Sequence, residues 1–278
     1  MDITLQALVM GIVQGLTEFL PVSSSGHLII VPRLLGWTDP FINSLEFSVM
    51  LHIGTLVALL IFFRADWLRL VPAGLAALRD RSFRDDPDRR LAWLIAAATV
   101  PAIIAGLLLN DIIENNVRQV GLVALMLVVG GAILWLAERN GRRNRAISDL
   151  TVRAAVGIGA AQAVALIPGI SRSGMSIAAG LFAGLDREAA ARFSFLMATP
   201  VTALAAIYEA RKLMTGETGI AVATTPLIVG MVAALIAGLI AIRVLLQFVR
   251  SHSTDVFVVY RILLAAVVIV AWLGGLGR

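Results

Sequence analysis

Glu18, His27 and Arg172 are ionisable, yet each lies in or beside a long apolar stretch. Charge at membrane depth is costly, so such residues are functional candidates by default. Gln14 and Glu18 are four apart and share a helix face. Gly11 and Gly15 fall on nearly the same face, where a second backbone can approach closely. The Glu18 carboxylate therefore points into protein. Ser23-Ser24-Ser25-Gly26 stands just ahead of a short apolar segment starting at His27. One Ser before a helix is an ordinary N-cap. Three in succession plus a Gly exceed what a cap requires, and free N–H groups at the positive end of a helix favour an anion. Ser24 and His27 are three apart, which puts a hydroxyl and an imidazole on one turn. That is the simplest activated nucleophile.

Ser171-Arg172-Ser173-Gly174 repeats the anion-site pattern and adds a guanidinium, whose planar fork suits phosphate oxygens. Two helix N-termini, several hydroxyls, Arg172, Glu18 and His27 together fit a phosphorylated ligand. They fit a sugar, or a metal ion alone, less well. Glu18 can also hold a hard cation that bridges phosphate oxygens. His52 and His252 are weaker candidates. His52 lies in a full apolar span with no acidic neighbour in sequence, and His252 falls in an expected cytoplasmic loop.

These residues must be positioned by a membrane protein. Of 278 residues 59% are apolar and 15% charged, against about 25% charged in a soluble domain. Mean hydropathy is +0.90. A water-soluble globule of this size cannot cover that much apolar surface. A soluble enzyme, a disordered chain and a disulfide scaffold are excluded. With no Cys, so are thiolate metal sites and cysteine nucleophiles. The net charge of +5 comes from short loops between apolar runs. It reads as membrane topology and not as a nucleic-acid surface.

Six runs approach the ~20 residues needed to cross roughly 30 Å of hydrocarbon. They are Phe47–Phe63, Leu91–Leu109, Gly121–Ala137, Phe193–Tyr208, Thr225–Val249 and Val256–Leu276. Two further runs are broken. Leu5–Leu20 stops at Pro21 and resumes as His27–Leu35, and Val152–Ile167 stops at Pro168-Gly169 and resumes as Ser173–Leu185. The resumed pieces are too short to span and are expected to be re-entrant, with the breaks against protein or a wet cavity. The first run lacks the basic flank of a secretory signal and is expected to stay in the mature protein.

Seven Arg lie in the 64–90 loop and five in 139–153, whereas 110–118 holds only Arg118 beside Asp111 and Glu114. The positive-inside rule makes the first two cytoplasmic. Carried along the chain, fifteen basic residues fall inside and five outside, namely Arg33, Arg118, Arg211, Lys212 and Arg278. Polar landmarks also recur about 147 residues apart. Gly11 and Gln14 match Gly159 and Gln162, Pro21 matches Pro168, Ser23–Gly26 matches Ser171–Gly174, and Phe47-Ser48 matches Phe193-Ser194. Each half has one broken segment and three spans, and an odd number inverts the second half. The expected fold is an all-α polytopic membrane protein, one domain over 1–278, with inverted repeats at about 1–140 and 150–278. It has six full spans and two re-entrant helix pairs meeting near the midplane.

The runs GIVQGLTEFLPVSSSGH (11–27) and PGISRSG (168–174) resemble the two signatures of the undecaprenyl-diphosphate phosphatase family of the bacitracin-resistance type. Order, spacing, length and the FSFL stretch at 193–196 match as well, so the resemblance covers essentially the whole chain. It implies a multi-pass enzyme of the bacterial plasma membrane, its site opening to the periplasm or exterior. Such an enzyme takes one phosphate from undecaprenyl diphosphate and recycles the lipid carrier of peptidoglycan synthesis. It implies a divalent cation, Mg2+ or Ca2+. By position it puts catalysis on Glu18, Ser24, His27 and Arg172, with Ser23, Ser25, Gly26, Ser171, Ser173 and Gly174 about the phosphates. The family often has Glu where this chain has Gln14, so the metal falls to Glu18 with the neutral Gln14. Thr is common where Ser25 stands.

The expected mechanism is in-line displacement with Ser24 as nucleophile and His27 as its base, water as direct nucleophile remaining open. Arg172 and the two helix ends stabilise charge on the phosphoryl oxygens. The same fold plan serves transporters, so a flippase of a phosphorylated polyprenyl lipid is the rival reading. Transport needs no nucleophile or base, which favours hydrolysis. The assembly state is open between monomer and homodimer.

Overall fold

The computed structural model describes residues 1–83, 86–116, 119–215 and 223–275, of which 110–116, 209, 210 and 212–215 are described by backbone alone. It is all-helical. The elements are α1 Ile3–Phe19, α2 Ser24–Leu34, α3 Leu45–Phe62, α4 Arg64–Asp80, α5 Pro87–Asn116, α6 Val120–Asn140, α7 Val152–Val164, α8 Arg172–Phe182, α9 Arg187–Thr215, α10 Thr224–Val249 and α11 Asp255–Leu273. A 3₁₀ turn at Ile147–Asp149 precedes α7. Six helices are long and apolar enough to cross a membrane: α3, α5, α6, α9, α10 and α11. They coincide with the six expected spans, extended at most ends by a turn or less. The broken runs divide into α1/α2 and α7/α8, with breaks at 20–23 and 165–171. The expected external residues Arg118 and Arg278 lie outside the described residues, as does 216–222.

Small residues decide how the helices meet. A Cβ on Gly11 or Gly15 would collide with the Gly230 or Ala234 carbonyl, so α1 lies directly against α10. A Cβ on Gly54 would meet the Met231 carbonyl, which seats α3 on α10 as well. Gly159 does the same for α7 against Ala98 of α5. The first helix of each half thus packs on a long helix of the other half. The polar face of α1, with Gln14 and Glu18 buried, is turned into the molecule. Phe19, Phe63, Phe193 and Phe195 fill the core beside it.

One expectation needs correcting. The Arg-rich stretch after α3 is not a loop throughout, because Arg64–Asp80 forms α4. Its Leu68, Val71, Leu75 and Leu78 repeat at helical spacing along the exposed side, while Asp66, Leu70 and Ala77 are buried. Counting arginines hid that 3–4 periodicity. On the same basic side, Glu138 at the end of α6 is buried and accepts from Arg143, Arg187 and both the N–H and hydroxyl of Thr254. That cluster ties α6, α9 and the start of α11 together.

Candidate active site

The two breaks share one local construction. Ser23 and Ser171 both take positive φ, 76° and 78°. For a non-Gly residue this costs on the order of 1–3 kcal/mol and persists only where surrounding packing fixes it. Each Ser then caps the helix that follows. Ser23 Oγ accepts from the Gly26 N–H at 3.3 Å, and Ser171 Oγ from the Gly174 N–H at 3.1 Å. The N–H groups of the remaining first-turn residues have no acceptor within α2 or α8. Ser173 Oγ donates to the Leu20 carbonyl at 3.0 Å, so the second break holds the first.

Glu18 is the meeting point. Its Oε2 accepts from Ser24 Oγ at 2.6 Å and from Gln14 Nε2 at 3.1 Å. Its Oε1 is paired with the Arg172 guanidinium. Arg172 Nη1 also donates to Thr202 Oγ1 of α9 at 2.6 Å. Glu18, Arg172, Ser173 and Ser194 line a cavity of about 10 Å³, room for a single water. A hydroxyl donating to a carboxylate that a guanidinium holds in place is the arrangement that a nucleophile with an oriented base requires.

The structure brings together Gln14, Glu18, Ser24 and Arg172 from the expected set. It does not bring His27 to Ser24. Sharing a helix turn put both on one side of α2, but His27 folds back on its own backbone. Its Nδ1 is 2.7 Å from the Ser23 carbonyl oxygen, and its Nε2 is 2.7 Å from the Tyr260 hydroxyl. A carbonyl only accepts, so Nδ1 carries the proton and Nε2 accepts from Tyr260. The Ser24 hydroxyl goes to Glu18 instead. Ser23 and Ser171, expected among the phosphate ligands, use their hydroxyls as caps, and Ser173 is committed to Leu20. Ser24 and Ser25 are the half-buried hydroxyls. Gly26 and Gly174 have their N–H groups taken by the caps.

Four residues escaped sequence reasoning. His52, discounted for want of an acidic neighbour, places Nε2 3.4 Å from Glu18 Oε2 across the α1–α3 contact. Thr202 positions Arg172. Tyr260 and Arg261 lay inside a run read as plain apolar. Arg261 is fully buried and, among the described residues, donates to main-chain carbonyls alone, Pro21, Gly169 and Ile170 of the two breaks among them. The signal was present, since an Arg inside a span is itself a functional flag.

Among the described residues no three His, Cys, Asp or Glu side chains gather as a metal site. Gln14 Oε1, however, is a buried acceptor with no hydrogen-bond partner among the described residues, next to the Glu18 carboxylate. One carboxylate and one neutral oxygen fit a hard cation that takes its other ligands from phosphate and water.

A family model for "Bacitracin resistance protein BacA" matches residues 7–267. The chain belongs to this family. Among BacA relatives, an undecaprenyl-diphosphatase of Gemmatimonas aurantiaca is 47% identical over 263 residues, 95% of this chain and 96% of the relative. Proteins of the same name from Rubrobacter xylanophilus and Thermomicrobium roseum are 45% and 44% identical, each aligned over 95% of this chain and 96% of their own. The matched region of the BacA family contains both breaks and every residue around Glu18.

Proposed function

We propose that this chain is an undecaprenyl-diphosphatase, hydrolysing undecaprenyl diphosphate to undecaprenyl phosphate and inorganic phosphate. That recycles the lipid carrier of cell-wall synthesis and confers the bacitracin resistance for which the family is named. The observation that carries the reading is the Ser24–Glu18–Arg172 contact between two helix N-termini, inside a chain that matches named diphosphatases nearly end to end.

The chemistry follows from that contact. Ser24 Oγ attacks the terminal phosphorus as its proton passes to Glu18 Oε2. The bridging P–O bond breaks and undecaprenyl phosphate leaves. Glu18 gives that proton to the departing phosphate, then takes one from the water that attacks the phosphoserine and returns it to the Ser24 oxygen as inorganic phosphate leaves. Arg172 and the unpaired first-turn amides of α2 and α8 stabilise the equatorial oxygens, where charge develops. His27, held by the Ser23 carbonyl and Tyr260, fixes the α2 turn that presents Ser24. Glu18 and Gln14 would hold the divalent cation, Mg2+ or Ca2+, which would neutralise phosphate charge.

The two halves are inverted repeats with α1/α2 and α7/α8 as re-entrant pairs. Their support is the matched capping at Ser23 and Ser171 and the crosswise packing of α1 on α10 and α7 on α5. Both chain ends face outward in the bacterial plasma membrane, and the site opens to the exterior, as the distribution of basic residues supports. The chain has no Cys, so single-cysteine labelling tests this cleanly. Cysteine at position 142 should resist impermeant reagent in intact cells, and labelling there overturns the orientation. Purified protein in detergent should release phosphate from a C55 diphosphate. With no second compartment present, a transporter releases none.

A further inference from the structure

Arg261 lies on α11, within a window of mean hydropathy 2.6, and is wholly buried. Burying a guanidinium is expensive unless its donors are satisfied. Among the described residues no carboxylate pairs with it, and its bonds go to five main-chain carbonyls. Nε donates to Leu127 at 3.0 Å and Nη1 to Pro21 at 3.3 Å. Nη2 donates to Met126 at 3.3 Å, Gly169 at 2.8 Å and Ile170 at 2.9 Å. Leu127 and Met126 belong to α6. The other three carbonyls come from the turns just ahead of Ser23 and Ser171. One side chain therefore joins the backbone of both breaks to a transmembrane helix.

Space has been made for it. A Cβ on Gly130 of α6 would overlap the guanidinium and the Ile170 carbonyl oxygen. At neighbouring Gly131 the nearest atom to an added Cβ is Arg261 Nε at 3.7 Å, an ordinary contact.

We infer that Arg261 is a positioning residue for phosphoryl transfer: it binds the two break carbonyl sets and so fixes Ser24 and Arg172 on opposite sides of Glu18. It touches neither of them. Lysine keeps the charge but has three donors in place of five in a planar fork, so it cannot hold all the carbonyls. The inference rests on the proposed hydrolysis, and wild-type turnover of undecaprenyl diphosphate is the control that tests that reading separately.

The experiment compares purified full-length wild type, Arg261→Lys, Gly130→Ala, the double variant and Gly131→Ala in detergent. Phosphate release gives kcat and KM per folded molecule, and melting is followed alongside. Arg261→Lys and Gly130→Ala should each lose about a hundredfold in kcat, the scale set by ångström-level misplacement of reacting groups. KM should stay within about threefold, because substrate contacts remain. Gly130→Ala keeps every charge, so its loss reports position alone. In the double variant the new methyl still meets the Ile170 carbonyl oxygen but no longer the guanidinium, so its loss should fall short of the product of the two single losses. Gly131→Ala should match wild type. Wild-type kcat in folded Arg261→Lys or Gly130→Ala, a rise in KM at constant kcat, or failure of both variants to fold overturns the inference. Folding failure of both would assign Arg261 to stability alone.

Discussion

The two breaks have nearly the same backbone and very different contents. At each, a Ser with positive φ caps a short helix through the N–H of a Gly three residues on. At the next position one break carries Ser24 and the other Arg172. Nine residues before each capping Ser the contrast sharpens. Gln14 has Glu18 one turn later and bonds to it, whereas Gln162 has Leu166 there and neither of its side-chain polar atoms has a partner. The two breaks thus carry different chemistry on a similar backbone. The first break supplies hydroxyl and carboxylate, and the second supplies the cation. Two equal breaks would face serine with serine and leave the carboxylate unpaired.

The division is broken most severely by removing the charge that joins the halves. Glu18→Gln should lower kcat by about 10³-fold, within the range for a general base. Ser24→Ala should do the same, and the double variant should be barely worse than either, as expected for groups acting as a unit. His27→Ala combined with Ser24→Ala is the contrasting cycle. Because His27 bonds Ser23 and Tyr260 while Ser24 bonds Glu18, the coupling in this cycle should be weaker than that between Ser24 and Glu18. Strong non-additivity between Ser24 and His27, with none between Ser24 and Glu18, would return the base role to His27. Near-full turnover in Ser24→Ala would make water the nucleophile.

Arg172→Lys tests the other break. Lysine lacks the planar fork by which Arg172 holds Thr202 and Glu18 on separate nitrogens. A loss of about 10²-fold in kcat is expected, comparable to removing one transition-state donor. Thr202→Val should produce a smaller loss of the same kind. If Arg172→Lys changed only KM, the guanidinium would serve substrate binding and not the transition state.

Much of this was legible in the residues. The six spans and both breaks follow from apolar run lengths and from Pro21 and Pro168-Gly169. The Ser-rich segments announced helix starts, and the Gly pairs announced close packing. Spacing along one helix, however, says which residues share a face and not which rotamer they choose. That is why Ser24 turned to Glu18, six residues back, while His27 turned to Ser23 and Tyr260. Contacts between distant elements were illegible for a simpler reason. His52 of α3 meets Glu18 of α1, Thr202 of α9 meets Arg172 of α8, and Arg261 of α11 meets both breaks only once separate helices pack. Arg261 was further masked because one guanidinium scarcely lowers the mean hydropathy of its span.

Gln14→Glu makes the first break still more acidic and asks what Gln14 does there. If Gln14 is a cation ligand with Glu18, a second carboxylate should preserve activity and lower the Mg2+ or Ca2+ concentration needed for half-maximal turnover. If Gln14 only packs, the change buries an unpaired charge and destabilises by a few kcal/mol. Cation titration and melting of both forms separate the two. Equal activity with unchanged cation dependence counts against a ligand role.

The smallest effect is expected at the matching residue of the second break, and it bears most directly on the division of labour. Gln162 is buried, and both its Nε2 and Oε1 lack hydrogen-bond partners among the described residues. A buried amide in that state carries a desolvation penalty of about 1–3 kcal/mol. Gln162→Leu removes it at similar volume, so the variant should melt higher and turn over within about twofold of wild type. The same substitution at Gln14 should cut activity, because there the amide bonds Glu18. Should Gln162→Leu instead lose activity while keeping its fold, the second break would contribute more than Arg172 and its helix end. The assignment of hydroxyl and carboxylate chemistry to the first break alone would then fail.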